Sequence, residues 1–265
     1  MVRNKNNQAI WNKRIKKNTS ELFQEIGSSI NVDKRLFKED IQASLAHVKM
    51  LHKQKIISSK VKNKINSVVI LLHGYGGDGK DISALTYNWK RFLPNTVFLC
   101  PDAHEKCSIN PSGFQWFDLD KDDSKYILDQ SLKAEKVIHQ FIKEVKELYK
   151  LNNSKICLSG FSQGCMMSIN IGLTSDENFN CVVGFSGKII DKENLSKRIS
   201  SKTKMLLLHG ELDTVVPPSN LLEAKDFLLR NKIEVETNMI SDCDHHIPIK
   251  SSSIALNYLK KNFSI

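Results

Sequence analysis

The chain has 265 residues, of which 40% are hydrophobic and 26% charged, with a formal net charge of +10 at pH 7. The longest purely apolar run, Val68–Leu72, is far shorter than the roughly 20 residues that span a bilayer, which argues against stable membrane insertion. Residues 1–20 lack the continuous apolar stretch of a secretory signal peptide, and a cytoplasmic protein is expected.

Most of the positive charge lies at the beginning of the chain. Residues 1–62 hold 14 Lys or Arg and 5 Asp or Glu, a net charge of +9, whereas residues 63–265 hold 25 and 24, a net charge of +1. The basic residues are interspersed through helix-like sequence with few aromatic residues. This pattern favours a solvated helix face, so no nucleic-acid partner is expected.

Residues 1–62 have helical patterning. Apolar residues lie along one side of a helix that begins near Asp33, namely Leu36, Ile41, Leu45, Val48 and Leu51. The polar, Lys-rich stretch 58–66 is suited to a linker. We therefore predict a helical appendage over residues 1–62 and one larger domain over residues 63–265.

From residue 67 onward, buried-strand and amphipathic-helix patterns alternate. The predicted strands are 67–74, 96–101, 155–160, 181–187, 204–210 and 233–240. The predicted helices are 126–150, 165–173, 219–231 (with Ser219 as its N-cap) and 251–263. Continuous apolar strands alternating with helices predict an α/β fold, with a mostly parallel sheet covered by helices on both faces.

The Gly-rich stretch HGYGGDGKD, residues 73–81, has two interpretations. Gly74–Lys80 matches G-x-x-x-x-G-K, the start of a phosphate-binding loop, but such a loop needs a Ser or Thr next. Asp81 occupies that position, and its carboxylate would repel phosphate. The other interpretation is a flexible turn that builds an oxyanion hole.

Residues 160–164, GFSQG, match G-x-S-x-G between a predicted strand and a predicted helix. That context is typical of a nucleophile elbow, a tight turn that exposes the serine hydroxyl at the start of a helix. Ser162 is therefore the candidate nucleophile. The alternative is an ordinary helix start rich in Gly and Ser.

A serine nucleophile needs a base and an acid that orients it, in the chain order Ser, acid, His for this fold. Asp213 follows a late strand and is the candidate acid, preferred to Glu211, which lies closer to the strand end. Between the last strand and the last helix, both His245 and His246 are candidate bases.

Acyl transfer also requires two N–H donors for the oxyanion. One comes from the residue after the nucleophile, here Gln163, and the other from the loop after an early strand. The Gly-rich stretch is that loop, and the N–H of Tyr75 is the best candidate.

The same segment could instead bind a metal through Cys243, Asp244, His245 and His246. Adjacent histidines cannot easily reach one ion, and no C-x-x-C or H-E-x-x-H accompanies them. The six scattered cysteines are expected to be reduced thiols. We expect no metal and no cofactor.

Residues from about 66 to 265 resemble the phospholipase/carboxylesterase family of α/β-hydrolases, which includes the acyl-protein thioesterases. The motifs that match, in chain order, are LLHGYGGDGKD, PDAH, GFQWFDL, GFSQG, GFSGKI, HGELDTVVP and DHHIP. The resemblance implies an α/β-hydrolase fold. Because the family's catalytic histidine stands two residues before an Ile, usually in G-H-x-I, it also selects His245, although Asp244 replaces the preceding Gly. It further implies that Gln115, Trp116 and Phe117 line the acyl site, the alternative being aromatic packing under a loop.

Residues from about 11 to 60 resemble the N-terminal segment of argininosuccinate lyase, through the run 28–58. The lyase builds its active sites from several distant segments, including a catalytic serine loop, that have no counterpart here. We therefore predict no lyase activity. Without its partner helices this piece carries an uncovered apolar stripe, so loose order or self-association through residues 1–62 is expected.

Taken together, the motifs predict a serine hydrolase that cleaves small-molecule or acylated carboxylic esters or thioesters through an acyl-enzyme. Two alternatives belong to other classes. One is a non-catalytic binding module with a hydrolase fold. The other is an assembly module that docks onto lyase subunits through residues 1–62.

Overall fold

A computed structural model describes residues 65–121 and 123–263. The predicted helical appendage, residues 1–62, lies outside these residues, and the domain boundary at residue 63 stays a prediction. Within the described ranges, no helix is both long and apolar enough to cross a membrane.

The described chain is organised around a sheet of six parallel strands. The strands are β1 (Ser67–Leu72), β2 (Thr96–Leu99), β3 (Glu105–Lys106), β4 (Phe114–Gln115), β5 (Ile156–Phe161), β6 (Cys181–Phe185), β7 (Met205–Gly210) and β8 (Val235–Ile240). The large sheet has the order β2-β1-β5-β6-β7-β8, while β3 and β4 form a separate antiparallel pair. The predicted fold class is confirmed.

Helices flank this sheet. They are α1 (Gly79–Phe92), α2 (Ser124–Tyr149), α3 (Gln163–Thr174), α4 (Lys192–Arg198), α5 (Ser219–Arg230) and α6 (Ile249–Phe263). The strands β1, β6 and β7 are buried along their whole length, which explains why they are continuous apolar runs without alternation. Every residue of α3 from Gln163 to Leu173 is also buried, so this helix lies in the interior.

The predicted N-cap of α5 is wrong by one position. Ser219 is the first helical residue, and the capping position belongs to Pro218, which already has helical backbone angles (φ −63°, ψ −18°). The chain turns early because the N–H of Asn220 donates to the carbonyl of Pro217, 3.0 Å away. Proline is suited to this place, since its fixed φ is compatible with a helix start.

A buried carboxylate joins three helices beside the sheet. Glu135 of α2 accepts two hydrogen bonds from the guanidinium of Arg198 in α4, at 2.8 and 3.1 Å. It also accepts one from the side-chain amide of Asn170 in α3, at 2.8 Å. A buried charge is tolerated when partners of this kind satisfy it.

Replacing the cationic partner tests this interpretation. Arg198→Ala leaves the buried Glu135 carboxylate without its cation and is expected to lower the free energy of unfolding by about 2 kcal/mol. Arg230→Ala is the matched control, because its ion pair with Asp226 lies on the exposed surface of α5 and contributes less than about 1 kcal/mol. Urea denaturation of both variants measures the difference, and equal losses would contradict the role of Glu135.

Candidate active site

The candidate site lies at one edge of the sheet. Because all six strands run in parallel, their carboxyl ends share that edge, where α/β proteins place ligands. The loops that follow β1, β5, β7 and β8 carry the predicted site residues Tyr75, Ser162, Asp213 and His245. The sheet order therefore brings together residues that are far apart in sequence.

Ser162 occupies a sharp turn between β5 and α3. Its backbone has φ 52° and ψ −116°, a conformation that L-residues rarely adopt and that is typical of a functional constraint. The flanking glycines are required by contact, since a Cβ on Gly160 would lie 2.3 Å from the carbonyl of Gly164. A Cβ on Gly164 would lie 2.0 Å from the carbonyl oxygen of Leu72. This tight packing sets Ser162 against the end of β1.

A continuous hydrogen-bonded chain links Ser162, His245 and Asp213. The Ser162 Oγ is 3.0 Å from His245 Nε2, and His245 Nδ1 is 2.7 Å from Asp213 Oδ2. A carboxylate can only accept hydrogen bonds, so Nδ1 carries the proton of the ring and donates a hydrogen bond to Asp213. Nε2 is then free to accept from the serine hydroxyl, which is the arrangement of a general base next to a nucleophile.

Asp213 is buried and held in place by its own loop. Its Oδ1 accepts from the N–H groups of Val215 and Val216, at 3.0 and 2.8 Å. Burial by itself would raise the pKa of the Asp213 carboxyl, but the hydrogen bonds from His245 and the backbone outweigh it and hold the pKa below its ordinary value. The carboxylate is therefore ionised and available to orient the imidazole.

The two competing candidates lie elsewhere. Glu211 is exposed, and its N–H pairs with the carbonyl of Ile240. The Nδ1 of His246 pairs with the Asp244 carboxylate. The geometry thus assembles the set that contains His245, and its catalytic role stays a prediction.

The two predicted oxyanion donors are unpaired. Among the described residues, neither the N–H of Tyr75 nor that of Gln163 has a hydrogen-bond partner. Gly74 lies directly against the elbow, because a Cβ on it would be 3.4 Å from the Ser162 Cβ. Buried or half-buried N–H groups without partners are rare, and a pair beside a serine nucleophile is suited to a developing oxyanion.

The β3–β4 pair holds the loop that carries Tyr75. The N–H of Gly76 donates to the carbonyl of Phe114 at 2.9 Å, and the N–H of Phe114 donates to the carbonyl of Gly77 at 2.8 Å. The Asn110 side chain adds a bond to the Gly76 carbonyl at 2.7 Å. These bonds fix a glycine-rich loop that would otherwise be flexible.

The predicted lining residues Gln115, Trp116 and Phe117 are all buried, with exposed fractions of 5%, 2% and 2%. The Gln163 side chain accepts from the N–H of Trp116 at 2.7 Å and donates to the carbonyl of Phe117 at 2.6 Å. The Trp116 indole donates to the His73 carbonyl at 2.9 Å. This burial favours packing under a loop over direct contact with substrate, and the scaffold role of the Gln163 side chain was missed from the sequence.

The alternative chemistries find little support in the geometry. Asp78 caps α1 by accepting from the N–H of Asp81 at 2.7 Å, so carboxylates occupy the helix start that a phosphate would need. No group of three or more metal-ligating side chains occurs in the described ranges. The six cysteines are free thiols.

The fold and the serine elbow define the class of protein, which is an α/β-hydrolase. The model of the phospholipase/carboxylesterase family matches residues 51–263, and the chain belongs to that family. The predicted enzyme class, a carboxylic ester hydrolase, is confirmed by this membership.

Two relatives illustrate the similarity. Acyl-protein thioesterase 1 of Emericella nidulans is 29% identical over 173 residues, covering 58% of this chain and 72% of the thioesterase. The crystal structure of esterase PE8 is 35% identical, with a TM-score of 0.71, and the match covers 74% of this chain and 92% of that one.

A short segment of the chain is similar to a different enzyme. Argininosuccinate lyase of Pelagibacter ubique is 66% identical over 65 residues, which make up 24% of this chain. The chain spans only 14% of the length of that lyase. The predicted resemblance is confirmed, while the absence of lyase activity and self-association through residues 1–62 stay predictions.

The contact between the elbow and β1 can be tested by adding one methyl group. Gly164→Ala is expected to cost about 3 kcal/mol of stability and to displace Ser162, because the Leu72 carbonyl cannot move out of a buried strand. Thr174→Ala, at the other end of α3, is the control and should cost less than about 1 kcal/mol. Thermal melting and ester hydrolysis are measured together, and an active, stable Gly164→Ala variant would disprove the packing argument.

Proposed function

We propose that this chain hydrolyses carboxylic esters or thioesters through an acyl-enzyme formed on Ser162. The observation that carries the proposal is the hydrogen-bonded chain from Ser162 through His245 to Asp213. Two unpaired N–H groups beside the serine complete the set of parts that acyl transfer needs.

In the first half-reaction, the Ser162 oxygen attacks the carbonyl carbon of the substrate while its proton passes to His245 Nε2. The carbonyl electron pair moves onto oxygen and gives a tetrahedral oxyanion. When this intermediate collapses, the bond to the alcohol or thiol breaks, and the leaving group takes the proton from His245. The product is an ester between the acyl group and Ser162.

In the second half-reaction, a water molecule replaces the alcohol. His245 takes a proton from the water as its oxygen attacks the acyl carbon. Collapse of the second tetrahedral intermediate breaks the bond to Ser162 and returns the proton to the serine oxygen. The carboxylic acid leaves, and the starting state is restored without a metal or a cofactor.

The N–H groups of Tyr75 and Gln163 stabilise both oxyanions in this proposal. Backbone donors are fixed before the reaction begins, so little reorganisation is needed as charge develops. Each such donor typically contributes about 3 kcal/mol of transition-state stabilisation.

Exposed apolar side chains close in sequence to Asp213 and His245 support an apolar acyl group. Leu212 directly precedes Asp213 and is 57% exposed, Val215 follows two residues later and is 66% exposed, and Ile249 at the start of α6 is 84% exposed. Covering such side chains with an acyl chain removes their apolar surface from water, which stabilises the bound state by roughly 25 cal/mol per Å² of buried apolar surface.

Labelling of the serine tests the proposal. Incubation with a fluorophosphonate should form a phosphorus–oxygen bond to Ser162 with loss of fluoride, giving a single adduct by intact-mass analysis. Ser162→Ala should give no adduct and no ester hydrolysis, with its circular dichroism unchanged. Stoichiometric binding of esters without labelling or turnover would instead support a non-catalytic binding module.

The orienting acid is tested by an isosteric change. In Asp213→Asn, the amide can donate to His245 Nδ1 and so moves the imidazole proton to Nε2, where it blocks the base. We expect kcat to fall about 10³- to 10⁴-fold. Glu211→Gln is the matched control, since Glu211 is exposed and outside the hydrogen-bonded chain, and it should leave kcat unchanged. Equal effects of the two variants would refute the assignment.

A further inference from the structure

The imidazole of His73 holds one peptide unit of the Gly-rich loop. Its Nδ1 is 2.7 Å from the carbonyl oxygen of Gly74, and the same oxygen accepts from the N–H of Gly77 at 3.1 Å. His73 is itself buried, with an exposed fraction of 1%. The Gly74 carbonyl is therefore fixed on the side of the loop that faces His73.

The tautomer of His73 follows from its second bond. The N–H of Ala103 donates to His73 Nε2 at 2.9 Å, so Nε2 must offer a lone pair. The single proton of a neutral ring then lies on Nδ1 and points at the Gly74 carbonyl. Burial lowers the pKa of His73 below its ordinary value, against the opposing influence of the Gly74 carbonyl and nearby carboxylates, which keeps the ring neutral.

The direction of the carbonyl decides the direction of the next N–H. The carbonyl of Gly74 and the N–H of Tyr75 belong to one trans peptide, in which the two groups point in opposite directions. With the carbonyl turned to His73, the Tyr75 N–H points away from the imidazole. Gly74 lies against Ser162, since a Cβ on Gly74 would be 3.4 Å from the Ser162 Cβ, and the Tyr75 N–H has no partner among the described residues.

The peptides on either side are fastened independently. The His73 carbonyl accepts from the Trp116 indole, and the Gly76 N–H donates to the Phe114 carbonyl, both at 2.9 Å. The Gly74–Tyr75 unit has only the bonds to its carbonyl, from His73 and Gly77, within the described residues. Glycine at position 74 tolerates many backbone angles, so this unit can rotate if its carbonyl is released.

We propose that His73 is a positioning residue that locks the Gly74–Tyr75 peptide in the orientation needed for oxyanion stabilisation. The inference rests on the proposed function, since the Tyr75 N–H matters only if an oxyanion forms at Ser162. Without the His73 bond the carbonyl keeps only the longer bond from Gly77, at 3.1 Å, which is too little to hold the peptide. The peptide then turns, which removes a donor and presents a carbonyl oxygen to the developing negative charge.

Two substitutions separate the lock from the general stability of the loop. In His73→Asn, the side-chain nitrogen takes the place of Nδ1 and can still donate to Gly74, while Ala103 loses its acceptor. In His73→Gln, the longer side chain reaches the place of Nε2 and can accept from Ala103, but the bond to Gly74 is lost. Each variant therefore keeps one of the two hydrogen bonds of the ring and loses the other.

The expected result is that the more stable of the two variants is the less active one. His73→Gln should melt at the higher temperature of the two, yet lose about 10- to 100-fold in kcat with KM little changed, as expected for a misplaced oxyanion donor. His73→Asn should melt lower but keep kcat within about tenfold of the unsubstituted chain. His139→Gln, in the middle of α2 and outside the site, is the control for loss of an imidazole and should change neither quantity.

A trifluoromethyl ketone gives a second readout. Its carbonyl adds to Ser162 to form a stable tetrahedral oxyanion, so its affinity reports on the hole and not on the leaving group. The affinity should fall in His73→Gln by the same factor as kcat/KM and should be retained in His73→Asn.

The outcomes distinguish this inference from the proposed function. If the full chain hydrolyses an ester and Ser162→Ala does not, unchanged kcat in His73→Gln overturns the lock alone. Activity that follows melting temperature across both variants also overturns it, because the role of His73 is then merely structural. If the full chain neither hydrolyses esters nor binds the ketone, the proposed function and the lock fall together.

Discussion

The close contact between Gly164 and the carbonyl of Leu72 determines the geometry of the whole site. Because the first turn of α3 touches the end of β1, the serine that precedes this turn lies beside the loop that leaves β1. Neighbouring strands β1 and β5 are thereby joined at their carboxyl ends as well as along their length. A site that needs donors from two separate loops depends on this approach, which only a residue without a side chain permits.

Hydrogen bonds from buried polar groups then fix the positions of the surrounding loops. The Gln163 amide clamps the backbone of Trp116 and Phe117, and the Trp116 indole holds the carbonyl of His73. Each partner has a fixed role as donor or acceptor, so the orientation of the amide and of the indole is unambiguous. Networks of this kind cost much when incomplete and rigidify a site when complete, which is what electrostatic stabilisation of a transition state requires.

The sequence was informative where the physics is local or ordered along the chain. Continuous apolar runs predicted the buried strands, and the order Ser, acid, His pointed to Ser162, to Asp213 and to two candidate bases, of which the family resemblance selected His245. The strands β3 and β4 are two residues each, too short to produce a period. Helices α1 and α4 were not predicted either, since α4 has only seven residues and α1 directly continues the Gly-rich loop. The role of the Gln163 side chain depends on partners 46 and 47 residues away, a separation that sequence patterns do not report.

The candidate base, His245, follows β8, which lies at one edge of the sheet. Within the part of the chain that the structure describes, β8 is an edge strand that pairs with β7 alone, and most of its side chains are half-buried or exposed, whereas the strands that lead to Ser162 and Asp213 lie inside the sheet. Edge elements open locally at a smaller free-energy cost than the core. In the proposed mechanism, local opening of β8 would move the His245 imidazole away from Ser162 while the acyl group stays bound, so deacylation would stop at a lower temperature than the one at which the fold melts.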